Sequence, residues 1–167
     1  MRANRSKADA SIGTPAARTL EQAAVPFQLH AYDFRGSGAG IALEASELMG
    51  VAPARVLKTL MAVVDDRTLV VTLVPADRDL NLKALASAMG GKRADMADVR
   101  QAERASGYVK GGISPFGQRR QAPAVVDRSV LDHVSVFVNG GRRGLEIELA
   151  PRDLIAALDA TVAAITR

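Results

Sequence analysis

A lysine and a threonine interrupt an apolar stretch of the chain. Lys58 and Thr59 lie within Val-Leu-Lys-Thr-Leu, residues 56–60, whose other members are apolar. Burying an ammonium group without a partner is costly, so Lys58 lies either at a strand edge or in a site that uses its charge. The pattern by itself leaves both interpretations open.

A glycine-rich segment is the second candidate for chemistry. Residues 111–117 are Gly-Gly-Ile-Ser-Pro-Phe-Gly. Glycines let the backbone approach a ligand closely and turn its N–H groups toward an oxygen atom. The segment lacks the Gly-Lys-Ser/Thr ending of a P-loop, and Ser114 before Pro115 does not fit the strand–turn–helix setting of a nucleophilic serine. The alternative is an ordinary surface turn.

A third group of residues lies between two predicted strands. Residues 139–144 are Asn-Gly-Gly-Arg-Arg-Gly. The pair Asn139 and Gly140 is typical of a hairpin turn, which explains much of this pattern. The adjacent Arg142 and Arg143 are suited to grip a phosphate group.

Composition excludes several kinds of site. The chain has no cysteine, which excludes a disulfide scaffold, an iron–sulfur centre, a thiolate zinc site and a cysteine nucleophile. Its two histidines are His30, on one face of a predicted strand with Tyr32, and His133, in a connection. We therefore expect no metal and no cofactor. Without a Ser-His-Asp or Cys-His arrangement, catalysis would depend on positioning and backbone hydrogen bonds.

The charge balance permits a nucleic-acid partner but does not by itself favour one. Lysine and arginine total 22 against 18 acidic residues, giving a net charge of +4, and 17 of the 22 are arginine. Arginine pairs with phosphate through two parallel hydrogen bonds, although a general abundance of arginine is the alternative explanation. No apolar run approaches the length of a membrane span, and the basic N-terminus lacks the apolar core of a signal peptide. We expect a cytoplasmic protein without membrane contact.

Periodicity and turn residues predict one mixed domain. A tail at residues 1–11 precedes a single domain at 12–167. Helices are expected from Thr14-Pro15, over 41–49, after a cap at Asp79, over 98–106, and from Pro151 with Leu154, Leu158 and Val162 on one side. Strands are expected at 27–32, 56–64, 69–74, 93–96, 124–126, 134–138 and 145–149. This interleaving predicts an α/β fold of the mixed α+β kind, with a barrel-like mixed sheet and flanking helices.

The ordered set of motifs resembles a known family. Thr-Pro-Ala at 14–16, Phe-Gln-Leu-His-Ala-Tyr at 27–32, the lysine strand at 56–60, the loop at 111–117 and the run at 140–149 occur in the order seen in the bacterial YbaK/EbsC family. These are the Cys-tRNA(Pro) and Cys-tRNA(Cys) deacylases, relatives of the editing domain of prolyl-tRNA synthetase. The resemblance covers about residues 14–165.

The resemblance implies roles for particular residues. The family's essential lysine matches Lys58, its Gly-x-x-Pro loop matches residues 112–115, and its tyrosine matches Tyr32. The implied catalytic group is Lys58, Gly112 and Ser114. The implied substrate contacts are Tyr32, His30, Thr59, Gly111, Ile113, Pro115, Asn139, Gly140 and Glu146, and those to tRNA phosphates are Arg119, Arg120, Arg142 and Arg143. Asn139 and Glu146 stand where a known member of the family has a serine and an aspartate, which puts the amino-acid preference in question.

The resemblance also implies a reaction, of hydrolase or lyase type. The thiol of a mischarged Cys-tRNA(Pro) attacks its own ester carbonyl, giving a cyclic thioester and free tRNA, so the protein needs no nucleophile of its own. The implied partners are tRNA(Pro) and prolyl-tRNA synthetase. The alternatives are an Ala-tRNA(Pro) deacylase that uses a positioned water, and a non-catalytic module that binds tRNA or a synthetase.

Overall fold

A computed structural model describes residues 13–38 and 40–167, so the predicted tail at 1–11 lies outside the described residues. In these ranges the α-helices are α1 (Pro15–Gln22), α2 (Ile41–Met49), α3 (Leu82–Ala88), α4 (Val99–Ser106) and α5 (Pro151–Leu158). The strands are β1 (Gln28–Ala31), β2 (Leu57–Val64), β3 (Thr68–Pro75), β4 (Ala94–Met96), β5 (Ala124–Asp127), β6 (Val136–Asn139), β7 (Leu145–Leu149) and β8 (Thr161–Ala163). The predicted mixed α+β class is confirmed.

The strands form two sheets that do not close into a barrel. One sheet has the order β1-β7-β6 and is antiparallel throughout. The other has the order β4-β2-β3-β5-β8, in which β5 runs parallel to both β3 and β8. The sheet is therefore mixed, as predicted, but the barrel-like closure is not present.

Strand β2 lies where the two sheets diverge. One of its edges pairs with β3 from Leu57 to Val64. The other edge is divided, because residues 62–64 pair with β4 while Val56, just before the strand, bridges to Phe137 of β6. Between these two neighbours, residues 57–61 border a gap. The fold thus opens a space beside the first half of β2, where Lys58 and Thr59 lie.

The helix starts follow local capping rules, with one correction. The Thr14 hydroxyl oxygen accepts a hydrogen bond from the Ala17 N–H at 3.2 Å and caps α1, as predicted. The predicted cap of α3 at Asp79 is wrong. Asn81 caps this helix, accepting from the Ala84 N–H at 3.1 Å. Asp79 lies two residues too early, beside Lys58.

The C-terminal region departs further from prediction. Helix α5 begins at Pro151 but ends at Leu158, where Asp159 adopts a left-handed conformation with a φ of 48°. Val162 lies in β8 opposite Val126, so it does not extend the helix. The predicted strand at 134–138 begins at Val136, and Val134 is 94% exposed. The first error arises because a short apolar run fits a helix and a strand equally well. The second concerns only the position of the strand's ends, which nearby residues define weakly.

The largest apolar cluster packs α1 and α5 against both sheets. It includes Leu20, Leu73, Phe116, Val138, Ile147 and Leu154. Leu29 and Ile147, which pair across β1 and β7, pack in this cluster. Because side chains alternate along a strand, Glu146 lies on the other face of the three-stranded sheet, away from this cluster. In the described ranges no helix is long and apolar enough to cross a membrane.

Candidate active site

A cavity of about 630 Å³ opens in the gap beside β2. Small-molecule sites commonly have volumes of about 300–1,000 Å³. Six of the residues predicted to form the site line it: Lys58, Thr59, Gly111, Ile113, Asn139 and Glu146. These residues come from β2, the 107–118 segment, β6 and β7, so the tertiary fold brings together motifs that are up to 88 positions apart.

Lys58 points toward the turn that follows β3. Its ammonium group donates a hydrogen bond to the carbonyl oxygen of Arg78 and lies 3.9 Å from the Asp79 carboxylate. The side chain of Lys58 is 26% exposed, whereas that of Asp79 is 80% exposed. Lys58 is therefore neither buried nor fully solvated, and its charge is held at the cavity wall.

Thr59 presents an unsatisfied hydroxyl group. Its Oγ1 is buried and has no hydrogen-bond partner in the structure. Buried polar atoms are nearly always hydrogen-bonded, so an exception in a cavity wall is a candidate contact for a bound molecule.

The glycine loop packs so closely on its neighbours that side chains would not fit. A Cβ atom on Gly111 would lie 2.4 Å from Ile41 Cδ1, and one on Gly112 would lie 2.8 Å from the Cα atom of Arg142. The Gly112 N–H donates to the Val109 carbonyl at 2.8 Å, so it is already engaged in a turn. Gly111 and Ile113 line the cavity, while Gly112 lies behind it.

Replacing Gly112 with alanine is expected to displace this loop. The new Cβ would contact backbone atoms of the 142–143 turn, which cannot rotate away. Because misplacement by about 1 Å can cost about 10²-fold in rate, we expect kcat for the reaction that the resemblance implies to fall at least tenfold. Steady-state kinetics measures this. Gly13→Ala is the matched control, since its Cβ would meet only an arginine side-chain atom at 3.4 Å. Equal activity of both variants would contradict the prediction.

Asn139 connects the loop to the hairpin turn. Its Nδ2 donates to the Gly111 carbonyl at 3.1 Å, and its Oδ1 accepts from the Gly141 N–H at 2.8 Å. Gly140 donates its N–H to the Leu145 carbonyl at 2.8 Å and closes the turn. Asn139 therefore fixes the glycine loop relative to β6 while also lining the cavity.

Glu146 is a nearly fully buried carboxyl group in the cavity wall. It is 2% exposed, and its Oε2 atom has no hydrogen-bond partner among residues 13–38 and 40–167. Burial raises the pKa of Glu146 to about 8, because the apolar surroundings disfavour the charged form. A carboxyl group in this state can exchange a proton near neutral pH.

Tyr32 lies close to Glu146 but outside the cavity lining. Its hydroxyl group is buried without a partner, and its ring packs against the cluster around Ala42 and Phe137. Burial and the negative charge of Glu146 raise the pKa of Tyr32 to about 12. The tyrosine is therefore a neutral hydrogen-bonding group behind the wall.

His30 belongs to a separate polar cluster. Its Nε2 lies 2.8 Å from a carboxylate oxygen of Glu148, which also accepts hydrogen bonds from Ser135 and Arg55. His30 and Glu146 face each other across the β1–β7 ladder, yet His30 is not among the cavity-lining residues. His30 lies on the same face of the sheet as Glu146, but on the outer strand β1.

Ser114 and Pro115 support the loop from behind. Both are buried, and neither lines the cavity. The Ser114 hydroxyl oxygen accepts from the Phe116 N–H at 3.2 Å, and the Pro115 carbonyl accepts from Gln121 at 3.1 Å. Their contacts stabilise the turn, and the structure does not bring the Ser114 hydroxyl to the cavity.

The four predicted tRNA-binding arginines are all exposed, but they differ in their contacts. Arg143 donates to the Lys110 carbonyl at 2.9 Å and lies over the Phe34 ring at 5.6 Å, so it connects three segments near the cavity. Arg142 makes one long contact to a neighbouring carbonyl at 3.5 Å. The backbone N–H groups of Arg119 and Arg120 donate to the carbonyl oxygens of Ser106 and Ala105, at 2.9 and 2.8 Å, so both residues lie beside the end of α4.

Sequence patterns missed most of the apolar cavity wall. Ile41, Met61, Met96 and Val99 line the cavity, as does the exposed carboxylate residue Asp79. Apolar residues at helix and strand positions carry no signal that separates a cavity wall from a core. In the ranges that the structure describes, no group of three or more acidic or histidine side chains is placed to hold a metal ion.

Comparison with known proteins explains this combination of residues. Residues 38–157 match the profile of a family described as the aminoacyl-tRNA editing domain. The chain belongs to this family. The resemblance to the YbaK/EbsC proteins is thereby confirmed, and the family implies an aminoacyl-tRNA as the substrate of this editing domain.

Two curated relatives and a solved structure are similar over most of the chain. EbsC of Enterococcus faecalis, provisionally named a Cys-tRNA(Pro)/Cys-tRNA(Cys) deacylase, is 34% identical over 92% of this chain and 93% of its own length. A proline–tRNA ligase of Desulforamulus reducens is 29% identical over 70% of this chain, which corresponds to 20% of the ligase. The crystal structure of an enzyme provisionally described as trans-editing for prolyl-tRNA synthetase shares the fold, with a TM-score of 0.79, 23% identity and coverage of 92% and 98% of the two chains.

Proposed function

We propose that this editing domain removes cysteine from mischarged Cys-tRNA(Pro), acting in trans on the aminoacyl-tRNA. The observation that carries the proposal is the cavity beside β2, where Lys58, Thr59 and the glycine loop meet. The similarity to EbsC over nearly the full length of both chains supports the substrate.

The proposed reaction uses the substrate's own thiol. The sulfur attacks the ester carbonyl and forms a carbon–sulfur bond, and the bond from the carbonyl carbon to the ribose oxygen then breaks. The products are a cyclic thioester and tRNA with a free hydroxyl group. Because the attack is intramolecular and a thiol has a pKa of about 8.5, the protein needs no nucleophile of its own and must hold the ester in attack geometry.

The glycine loop is suited to stabilise the negative charge that develops on the carbonyl oxygen. Gly112 is excluded as a donor by its bond to Val109. The N–H groups of Gly111 and Ile113 have no acceptor in the described part of the chain, and both residues line the cavity. Backbone N–H groups held in this way stabilise a tetrahedral intermediate without reorganisation.

Lys58 is assigned to the tRNA end of the substrate. Its ammonium group lies at the cavity wall near exposed Asp79, where a polar group of the terminal nucleotide would enter. In this position it orients the substrate or stabilises negative charge, and the reaction does not require it as a base.

Three of the arginines are expected to contribute to the salt dependence of tRNA binding. Each phosphate contact changes the slope of log K against log salt by about 0.7–0.9. Replacing Arg119, Arg120 and Arg142 together with alanine should therefore weaken binding and flatten the slope by about 2–3. Binding titrations at salt concentrations from about 50 to about 200 mM measure this slope.

Arg152→Ala is the control for that experiment, because Arg152 is exposed on α5. Arg143 is left intact because its guanidinium group holds Lys110 and Phe34 in place. An unchanged slope in the triple variant would contradict the assignment of these arginines to phosphates.

A complex with prolyl-tRNA synthetase would supply recognition of tRNA(Pro). A segment similar to this chain occurs within a proline–tRNA ligase, which supports a functional connection between the two activities. The proposal is that the synthetase selects the tRNA while this domain selects the amino acid.

The deciding experiment compares release of labelled amino acid from Cys-tRNA(Pro) and Ala-tRNA(Pro) with catalytic amounts of protein. Rapid loss of cysteine with alanine retained supports the proposal, since alanine has no thiol. Loss of alanine would indicate a water-based mechanism. Loss of neither would overturn the enzymatic function and favour a module that binds tRNA or a synthetase.

A further inference from the structure

The buried carboxyl group of Glu146 can take up or release a proton, and the proposed function gives it no role. It lies in the cavity wall with Oε2 lacking a partner. Directly across the β6–β7 ladder, Asn139 is committed to the glycine loop and to the Gly141 N–H. A buried polar atom left without a partner is costly, so its persistence in a ligand cavity indicates a role with a bound molecule.

No cation neutralises this carboxyl group. The titratable groups on the elements around it are Glu44 of α2, His30 of β1, Tyr32 just after β1, Lys58 of β2, Asp79 after β3, Lys110 of the loop and Glu148 of β7. Lys58 contacts Asp79, and His30 contacts Glu148. Among the described residues no ion pair includes Glu146. Tyr32 lies close enough to Glu146 to interact with its charge, and the raised pKa of Tyr32 keeps the tyrosine neutral.

We propose that Glu146 accepts the proton of the substrate's thiol during deacylation, which makes it a catalytic residue. The thiol proton moves to a Glu146 oxygen as the sulfur lone pair attacks the ester carbonyl. When the bond to the ribose oxygen breaks, that oxygen takes the proton from Glu146, and the carboxylate is restored. The inference rests on the proposed function, because it requires a substrate that carries a thiol.

The proton affinities of the two groups are closely matched. Burial raises the pKa of Glu146 to about 8, and a free thiol has a pKa of about 8.5. Proton transfer between groups of similar pKa needs little driving force, which is the condition under which general acid–base catalysis is efficient. An ordinary exposed carboxylate, with a pKa of about 4.3, would be a far weaker acceptor.

The test compares Glu146→Gln with the wild-type protein on Cys-tRNA(Pro) across pH 6 to 9. Glutamine keeps the size and hydrogen-bonding groups but cannot accept the proton. General acid–base catalysis contributes about 10²–10⁴-fold, so kcat should fall by at least about 10²-fold while KM is maintained. Glu146→Asp retains a carboxyl group and should recover part of the rate.

The pH profile distinguishes proton transfer from a structural role. The wild-type kcat should be bell-shaped, since the reactive complex holds one proton between thiol and carboxyl. In Glu146→Gln only the thiol titrates, so kcat should rise monotonically with pH. Glu148→Gln, two residues along the same strand face and outside the cavity, serves as the control and should keep the wild-type profile.

Two results would overturn the inference while leaving the proposed function intact. One is a Glu146→Gln kcat within about threefold of wild type, which is far below the effect of losing a proton acceptor. The other is a raised KM with an unchanged kcat, which would make Glu146 a binding group. A wild-type protein that releases no cysteine would overturn the proposed function and the inference together.

Discussion

Lys58→Ala is expected to lower kcat/KM for aminoacyl-tRNA deacylation by about 10²-fold or more without unfolding the protein. The size follows from the loss of one positioned charge at a site where charge develops, an effect of about 10²–10³-fold in comparable sites. The fold should survive because, in the part of the chain that the structure describes, the polar contacts of the ammonium group are to the Arg78 carbonyl and the highly exposed Asp79. A surface ion pair of this kind contributes about 0–1 kcal/mol to stability.

Single-turnover and steady-state kinetics together measure the effect of this variant. Lys83→Ala is the matched control, since Lys83 is an exposed lysine on α3 outside the cavity. Far-ultraviolet circular dichroism verifies that both variants are folded. Wild-type deacylation by Lys58→Ala would remove Lys58 from the proposed site.

The second large effect is a pH dependence of stability that originates in Glu146. Burial raises the pKa of Glu146 from 4.5 to about 8 in the folded state. The folded protein therefore holds this proton more tightly than the unfolded chain does, and its stabilising effect is lost as pH rises from about 4.5 to 8. At about 1.4 kcal/mol per pKa unit, the loss between pH 5 and pH 8 is on the order of 3 kcal/mol.

Glu146→Gln cannot ionise, so its free energy of unfolding should not include this loss. Urea denaturation at pH 5, 6, 7 and 8 measures the difference between the two proteins, in which the other titrating groups cancel. We expect the glutamine variant to gain stability relative to wild type as pH rises. Parallel curves for the two proteins would contradict the burial of an ionisable group at this position.

Glu148→Gln provides a control of opposite sign. Burial opposes ionisation of Glu148, but hydrogen bonds from Ser135 and His30 outweigh it and hold the pKa of Glu148 below its ordinary value. Its stabilising effect is therefore present above its ordinary pKa and is lost as pH falls through the lower, folded-state pKa. The Glu148→Gln variant should be less stable than wild type at pH 8, and the difference should shrink in acid.

Local sequence signals predicted the elements whose ends depend on nearest neighbours. The Thr14-Pro15 start of α1 and the left-handed Gly50 that ends α2 are both present. The hairpin of β2 and β3 turns through Asp65 and Asp66, with φ values of 53° and 55°. These features follow from capping groups and backbone preferences within a few residues, so they need no tertiary information.

Prediction was wrong where two local solutions compete. Asp79 and Asn81 are both good helix caps, and the helix begins after the second because residues 79–81 pair with the C-terminal segment: the Asp79 carbonyl accepts from the Arg167 N–H at 3.0 Å and the Asn81 N–H donates to the Ile165 carbonyl at 2.7 Å. Val162 fits the apolar face of α5, but pairing with β5 places it in a strand. In both places a contact with a distant part of the chain decides between alternatives that the local sequence leaves nearly equal.

The residue types establish which chemical groups this protein can use: a lysine and threonine within an apolar strand, a glycine loop, and no cysteine. Which of these groups face the cavity depends on the folded chain. In the folded chain the Ser114 hydroxyl oxygen accepts a hydrogen bond within the glycine loop, and His30 contacts Glu148. Glu146 is enclosed between β1, β6 and β2. Burial depends on contacts between distant segments, and it is burial, not residue type, that raises the pKa of Glu146.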